Sequence, residues 1–259
     1  MPAELWSRSH GQTLVLTIHN PESRNAIEPA IYAAGIEALN IAERSPEVRS
    51  VVITGSEGMF CAGGNLRRLL AQRQTAPEVQ AQGIEGLHQW ISTIRAYPKP
   101  VIAAVEGAAA GAGFSLALAC DLIVAARNAV FVMAYSNVAL SPDGGASWSL
   151  AHALPRQLAS ELLLCGERIS PERLHALGIV NRLSEPGSAL ADALALAANL
   201  NARAPNVLAS SKELLTEAPF NPLTTQLDLE RTHFLQNLYH PNAGTGISAF
   251  LEKHQPQYE

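Results

Sequence analysis

Val101-Ile-Ala-Ala-Val-Glu-Gly-Ala-Ala-Ala-Gly-Ala-Gly-Phe-Ser-Leu116 decides how this chain folds. Its first five residues form a short apolar run of the kind found in a strand buried on both faces. The glycine- and alanine-rich remainder has too few side chains to shield its own backbone, and reads as a turn into a helix. Such a turn leaves N–H groups pointing outward at a helix N-terminus, where they can hold an anion or a developing oxyanion. Met59-Phe-Cys-Ala-Gly-Gly-Asn-Leu66 repeats the arrangement directly after the apolar run Ser50–Thr54. Taken singly, each stretch reads more readily as close packing of a helix on a sheet. Gly107, Gly111 and Gly113 lack the G-x-G-x-x-G spacing, and no Walker lysine follows either loop, so neither is a nucleotide fingerprint.

Outward from these loops, short β runs alternate with helices. Leu14–His19, Ser50–Thr54, Val101–Val105, Leu122–Ala125 and Val130–Met133 read as strands, with Ile179–Leu183 a further candidate. Ile27–Ser45 keeps helical spacing through Ile31, Ala34, Ala38 and Ile41, and Val79–Tyr97 is a second long helix, closed by Pro98-Lys-Pro100. Ala159–Cys165, Pro171–Leu177 and Ala189–Ala204 are helical, and beyond Ala204 Val207–Leu215, Leu223–Leu238 and Gly246–Lys253 continue so. The expectation is an α/β core over residues 1–199 and a helical region over 200–259.

Composition excludes several classes. With 18 basic and 23 acidic residues, the net charge of −5 lacks the basic footprint of a nucleic-acid binder. Apolar residues at 47% against 16% charged argue for a packed core and against disorder. The longest apolar charge-free run, Gly107–Cys120, falls short of the roughly 20 residues that cross a membrane. Met1–Gly11 shows no export signal, and Cys61, Cys120 and Cys165 are widely spaced, so free thiols in a reducing cytoplasm are expected. The histidines His10, His19, His152, His175, His233, His240 and His254 form no metal-ligand spacing, so no metal is expected.

Together, the two glycine loops resemble the crotonase family, also called the enoyl-CoA hydratase/isomerase superfamily. Asn20-Pro-Glu-Ser-Arg-Asn-Ala26, Ala119-Cys-Asp-Leu-Ile-Val-Ala125, Val138-Ala-Leu-Ser-Pro-Asp-Gly-Gly145 and Gly246-Ile-Ser-Ala-Phe-Leu-Glu-Lys253 extend the likeness. Thr225-Gln-Leu-Asp-Leu-Glu-Arg231 looks most like the phenylacetate-pathway isomerases, which act on ring-epoxide phenylacetyl-CoA and 3-enoyl-CoA esters. The resemblance implies a spiral of ββα units followed by helices that join subunits into homotrimers or homohexamers. It implies an acyl-CoA substrate, no separate cofactor, and an oxyanion hole made by the backbone N–H groups of Gly64 and Ala112. It further implies that Ala26, Ala62, Asn65, Leu66, Ala110, Gly111, Tyr135 and Val138 line the acyl-CoA site. Arg24 would lie beside the adenine, and Phe250 and Lys253 would reach the nucleotide from a neighbouring subunit. Arg67 and Arg68 could assist at the pantetheine entrance, or be solvated charges.

The hydratases of this family use two glutamates, and the matching positions here hold Ser115 and Tyr135. Neither serves as a carboxylate base, so hydration loses its acid–base pair. Asp143 matches the aspartate of the phenylacetate-pathway isomerases and the nucleophile of 4-chlorobenzoyl-CoA dehalogenase. A lone carboxylate in a pocket lined by Phe114, Tyr135, Val138 and Leu140 suits proton shuttling on an enolisable thioester. His88 matches the dehalogenase base, so a dehalogenase or hydrolase built on His88 and Asp143 stays open, as do a residual hydratase working without the glutamates and a non-catalytic acyl-CoA-binding protein. Trp90 reads as helix packing and Cys61 as a small buried filler.

Overall fold

The computed structural model describes residues 2–258. The first half of the chain runs β1 (Glu4–His10), β2 (Thr13–His19), α1 (Pro29–Arg44), β3 (Ser50–Gly55), α2 (Leu66–Gln72) and α3 (Pro77–Ala96). It continues with β4 (Val101–Val105), β5 (Ala108–Ala110), α4 (Ala112–Ala119), β6 (Leu122–Ala126) and β7 (Val130–Val132). Then follow α5 (Ala146–Ala153), α6 (Arg156–Ser160), β8 (Arg168–Ile169), α7 (Pro171–Ala176), β9 (Arg182–Ser184) and α8 (Ala189–Asn201). Three helices close the chain: α9 (Pro205–Glu217), α10 (Leu223–Leu238) and α11 (Pro241–Glu252).

Six strands form one sheet in the order β1-β2-β3-β4-β6-β9, and β5-β7-β8 form a second. Only β1 runs against its neighbours in the large sheet. The chain lays a strand in the large sheet, then one in the small sheet, then a helix, as in β4-β5-α4 and β6-β7-α5. This is the ββα spiral expected of a crotonase fold. The apolar runs are continuous because each central strand is buried on both faces. Val51, Ile53, Val101, Ala103, Val105, Ile123 and Ala125 face the core between the sheets. Their alternates Val52, Ile102, Ala104 and Val124 face α8 through Ala193, Leu196 and Ala197.

Several elements differ from the sequence expectation. The strand expected over Ile179–Leu183 forms at Arg182–Ser184 instead, because Ile179 and Val180 turn their N–H groups back to the Leu174 carbonyl and close α7. The helix at Ala159–Cys165 is α6 followed by a π turn over Glu161–Cys165. α11 begins at Pro241, before the expected Gly246, with His240 Nδ1 accepting the Asn242 N–H at 3.1 Å. β1, β5 and β8 lie outside the runs that read as strands. Beyond Ala202 the chain leaves the sheet, and Lys212 of α9 ties the last helices to the core through Asp121 at 2.6 Å. No helix among the described residues is long and apolar enough to cross a membrane.

The small sheet extends into the first glycine loop. Cys61 bridges Ala109, with the Cys61 N–H donating to Ala108 at 2.9 Å and the Ala110 N–H returning to Cys61 at 2.9 Å. Phe60 N–H adds a bond to Glu106 at 2.8 Å. Helix α4 then packs so closely on this ladder that a Cβ on Gly113 would strike the Cys61 carbonyl oxygen and lie 2.8 Å from its Cβ. Alanine favours a helix over glycine by up to about 1 kcal/mol, but overpacking costs about 1–3 kcal/mol. Gly113→Ala should therefore lower the thermal unfolding midpoint; a midpoint at or above wild type would show that the contact is slack.

Candidate active site

The first glycine loop is framed by the Asn20–Glu28 turn. Arg24 and Asn25 both adopt left-handed backbone conformations (φ 53° and 57°), which asparagine tolerates because its short amide bonds locally. Asn25 Oδ1 accepts the Asn20 N–H at 2.9 Å, and its Nδ2 donates to the carbonyls of Ser56 at 2.9 Å and Met59 at 2.6 Å. The Arg24 carbonyl accepts the Ala62 N–H at 3.1 Å, and Asn20 Nδ2 donates to the buried Ala26 carbonyl at 2.9 Å. Asn65 caps α2, accepting the N–H groups of Arg67 and Arg68, while its Nδ2 donates to Glu28 at 2.8 Å. Leu66 opens α2 and is exposed, as is the Arg24 side chain.

These bonds leave donors free on both loops. Among the described residues, neither the Gly64 N–H nor the Ala112 N–H meets a backbone acceptor. Ala112 is the first residue of α4, where an N–H has no partner within the helix. Gly111 precedes it at φ 49°, its own N–H spent on Val132 at 2.9 Å. The two loops meet at Gly63 (φ 94°), where a Cβ would sit 2.7 Å from the Ala110 oxygen and 3.4 Å from Ala112 N. Only glycine fits there. Two uncommitted backbone donors at the adjoining loops are what a carbonyl oxygen acquiring negative charge requires.

Ser115, Tyr135 and Asp143 come together beside the first turn of α4. Tyr135 Oη donates to Asp143 Oδ1 at 2.6 Å, and Ser115 Oγ donates to the Asp143 carbonyl at 3.1 Å. The two hydroxyls are 3.3 Å apart. Burial, and then the Asp143 charge, push the Tyr135 phenol well above its ordinary range, so it stays protonated and donating. Asp143 itself is half-buried, followed by Gly144 and Gly145 in left-handed conformation. A Cβ on Gly144 would lie 3.1 Å from Ser115 Cβ and 3.5 Å from Leu87 of α3. Tyr32 of α1 lies within electrostatic reach of both Asp143 and Arg68, and burial raises its phenol also.

The remaining candidates are spread more widely. His88 is exposed on α3, and no hydrogen bond among the described residues links it to Asp143. Val138 and Leu140 are exposed on the segment after Tyr135, whereas Phe114 is fully buried, edge-on to Phe131 at 5.0 Å between ring centroids. Phe114 is thus core and not pocket lining. Trp90 packs in the core over Gly35, as expected of a packing residue. Phe250 is 83% exposed on α11, and Lys253 caps that helix in left-handed conformation (φ 60°). Neither side chain bonds to the site within one chain. Cavities of about 690 Å³ among α9–α11 and about 360 Å³ beneath α9 lie away from Gly64, Ala112 and Asp143. The sequence marks Ser115 as a missing glutamate and Tyr135 as a missing glutamate and pocket lining; their joint hold on Asp143 carries no local signal.

The family model described as enoyl-CoA hydratase/isomerase matches residues 9–259. The chain is 36% identical over 248 residues to the 1,2-epoxyphenylacetyl-CoA isomerase of Escherichia coli (strain K12), covering 95% of this chain and 94% of that protein. It is 31% identical over 257 residues to the 2,3-dehydroadipyl-CoA hydratase of the same organism, covering 99% of both. The crystal structure of an enoyl-CoA hydratase from Polaromonas sp. JS666 superposes with a TM-score of 0.98 at 68% identity, over 99% of this chain and 100% of that one.

The thiol of Cys61 sits inside the first glycine loop, fully buried, and burial pushes it up to about 12. Cys120 is buried and likewise raised, while Cys165 is exposed. Thiolate, not thiol, is the nucleophile. Iodoacetamide at pH 8 should therefore modify Cys165 and spare Cys61 and Cys120 in the folded protein. Peptide mapping that finds Cys61 alkylated would show it to be a reactive residue instead of packing.

Proposed function

The chain belongs to the enoyl-CoA hydratase/isomerase family, which acts on acyl-CoA thioesters, and we propose that it is an isomerase using Asp143 as its single proton-transfer group. The substrate is a 3-enoyl-CoA or ring-epoxide phenylacetyl-CoA. One observation carries the reading: the two positions matching the hydratase glutamates hold hydroxyls, and both bind Asp143. The 36% identity to an epoxyphenylacetyl-CoA isomerase supports the same choice.

The chemistry needs no second carboxylate. The thioester carbonyl accepts the Gly64 and Ala112 N–H groups. Asp143 removes a proton from C2 of a 3-enoyl-CoA, and the electron pair spreads over the dienolate to the thioester oxygen. Each fixed donor stabilises that oxygen by about 3–4 kcal/mol. The carboxylic acid so formed returns the proton to C4, leaving the double bond at C2 and the carboxylate as it began. Coenzyme A arrives with the substrate, so no separate cofactor is invoked. Arg24, Ala26, Ala62, Asn65 and Leu66 hold its head on the first loop, while Ala110, Gly111, Tyr135 and Val138 face the acyl part. The three free thiols suit a reducing cytoplasm.

Assembly belongs to the same reading. We assign residues 200–259 to subunit contacts of a homotrimer or a dimer of trimers. Leu223, Phe234, Phe250 and Leu251 are between 66% and 83% exposed in one chain, more apolar surface than a free tail leaves in water. Phe250 and Lys253 then serve a neighbour's nucleotide site.

Following the mass of an acyl-CoA panel tests the reaction. Isomerisation leaves mass unchanged, hydration adds one water, hydrolysis frees coenzyme A, and a binding protein changes nothing. We expect 3-enoyl-CoA to isomerise, and Asp143→Asn to lower that rate by about 10²-fold or more. Crotonyl-CoA hydration should run about 10²–10⁴-fold below a two-glutamate relative. Full isomerase activity in Asp143→Asn would reject the base, and ordinary hydration would reject the class. Light scattering at micromolar concentration should give three or six chain masses; a monomer would reject the assembly and the role of Lys253.

A further inference from the structure

Asp143 rests on a segment that cannot orient it alone. Pro142 precedes it, Gly144 and Gly145 follow in left-handed conformation, and the residue is only half-buried. The torsion that turns a carboxylate is broad and nearly two-fold, so its two oxygens exchange freely unless one is held. Here one is held. Oδ1 accepts the Tyr135 hydroxyl at 2.6 Å, and the backbone carbonyl of Asp143 accepts Ser115 Oγ at 3.1 Å. Both holders are rigid: Ser115 lies inside α4 at 1% exposure, and Tyr135 is 9% exposed. Among the described residues Oδ2 has no hydrogen-bond partner.

We infer that Tyr135 and Ser115 are positioning residues that select Oδ2 of Asp143 as the atom that takes and returns the substrate proton. The inference rests on the isomerase reading and deepens it. Tyr135 occupies Oδ1 with a short, charge-assisted bond, which also favours the ionised carboxylate. Ser115 fixes the main chain from which that carboxylate hangs, so the free oxygen keeps one direction through both proton transfers. Proton transfer is steep in such geometry.

The test uses the assembled protein and a 3-enoyl-CoA. Tyr135→Phe keeps the ring and removes the donor. Its kcat should fall about tenfold, the worth of one hydrogen bond to a charged group, with KM unchanged. The acid limb of kcat/KM should move to higher pH, because the ionised carboxylate loses a bond that favours it. A side chain that only packed would alter the unfolding midpoint and leave that limb in place. Ser115→Ala should lower kcat without moving the limb, since it holds the backbone and not the carboxylate. Wild-type kcat with an unmoved limb in Tyr135→Phe overturns the inference. Should Tyr135→Phe fail to fold, Tyr135→3-fluorotyrosine keeps the shape and strengthens the donor; it should move the limb to lower pH, and no movement overturns the inference. A dead Asp143→Asn beside an unaltered Tyr135→Phe rejects the positioning role alone, whereas a fully active Asp143→Asn rejects the base and the role together.

Discussion

The backbone ladder between Phe60–Cys61 and Glu106–Ala110 brings two loops that are far apart in sequence to within a peptide's width. Everything chemical in the molecule depends on that approach. A donor pair for one oxygen atom needs both N–H groups to converge, and side chains at the crossing would hold the loops apart. Gly63 and Gly113 remove them: one leaves room for Ala110 and Ala112, the other lets α4 settle on Cys61. The small side chain of Cys61 completes the fit, with its sulfur accepting the Gly63 N–H at 3.3 Å. The resulting donors are backbone groups fixed by sheet and helix, so they need little reorganisation when charge develops.

On this scaffold, the choice of one carboxylate over two has a physical consequence. Two carboxylates sharing a pocket repel, and one must hold a proton, which is useful when water has to be both deprotonated and added. Ser115 and Tyr135 add hydroxyls and no charge, leaving Asp143 as the only carboxylate of the trio. Burial and the neighbouring negative charge keep the Tyr135 phenol protonated, so it remains a hydrogen-bond donor to Asp143. One base that gives back the proton it took is the requirement for moving a double bond.

How much of this could be read without coordinates follows from where each signal resides. Val101–Val105 and Ser50–Gly55 announce themselves because burial on both faces demands unbroken apolar runs. β1 does not, because it is an edge strand whose residues are mostly exposed, with Trp6 resting on His19 at 3.7 Å. Ala108–Ala110 has the composition of a helix and becomes a strand only because Cys61 and β7 flank it. Ile179 and Val180 look like a strand and instead close a helix. At the site, Gly64 and Ala112 were legible as donors only through the resemblance of the paired glycine loops to the crotonase family, since either loop alone reads as helix packing. Phe114 belongs to the core and not to the pocket, because the rotation of α4, which no local pattern encodes, sets it against Phe131. The trio of Ser115, Tyr135 and Asp143 is a tertiary meeting that no local pattern encodes.

The helical tail is bound to the catalytic scaffold through a group that constrains both. Asp121 follows α4 at the surface; it accepts the Val101 N–H at 2.7 Å at the start of β4 and pairs with Lys212 of α9 at 2.6 Å. Burial raises the Asp121 carboxyl while Lys212 and the Val101 N–H oppose the shift, so these partners offset part of the cost of placing a charge there. Lys212 also donates to the Lys99 carbonyl at 3.0 Å, which fixes the turn between α3 and β4. Strand β4 leads directly into the second glycine loop, and α4 ends beside Asp121. The tail therefore grips the same strand and helix that present Ala112 and Ser115, and losing α9 would leave the Asp121 carboxylate without its cation at the root of the site. A tail held in this way places its exposed apolar face in a fixed relation to the strand and helix that carry Ala112 and Ser115.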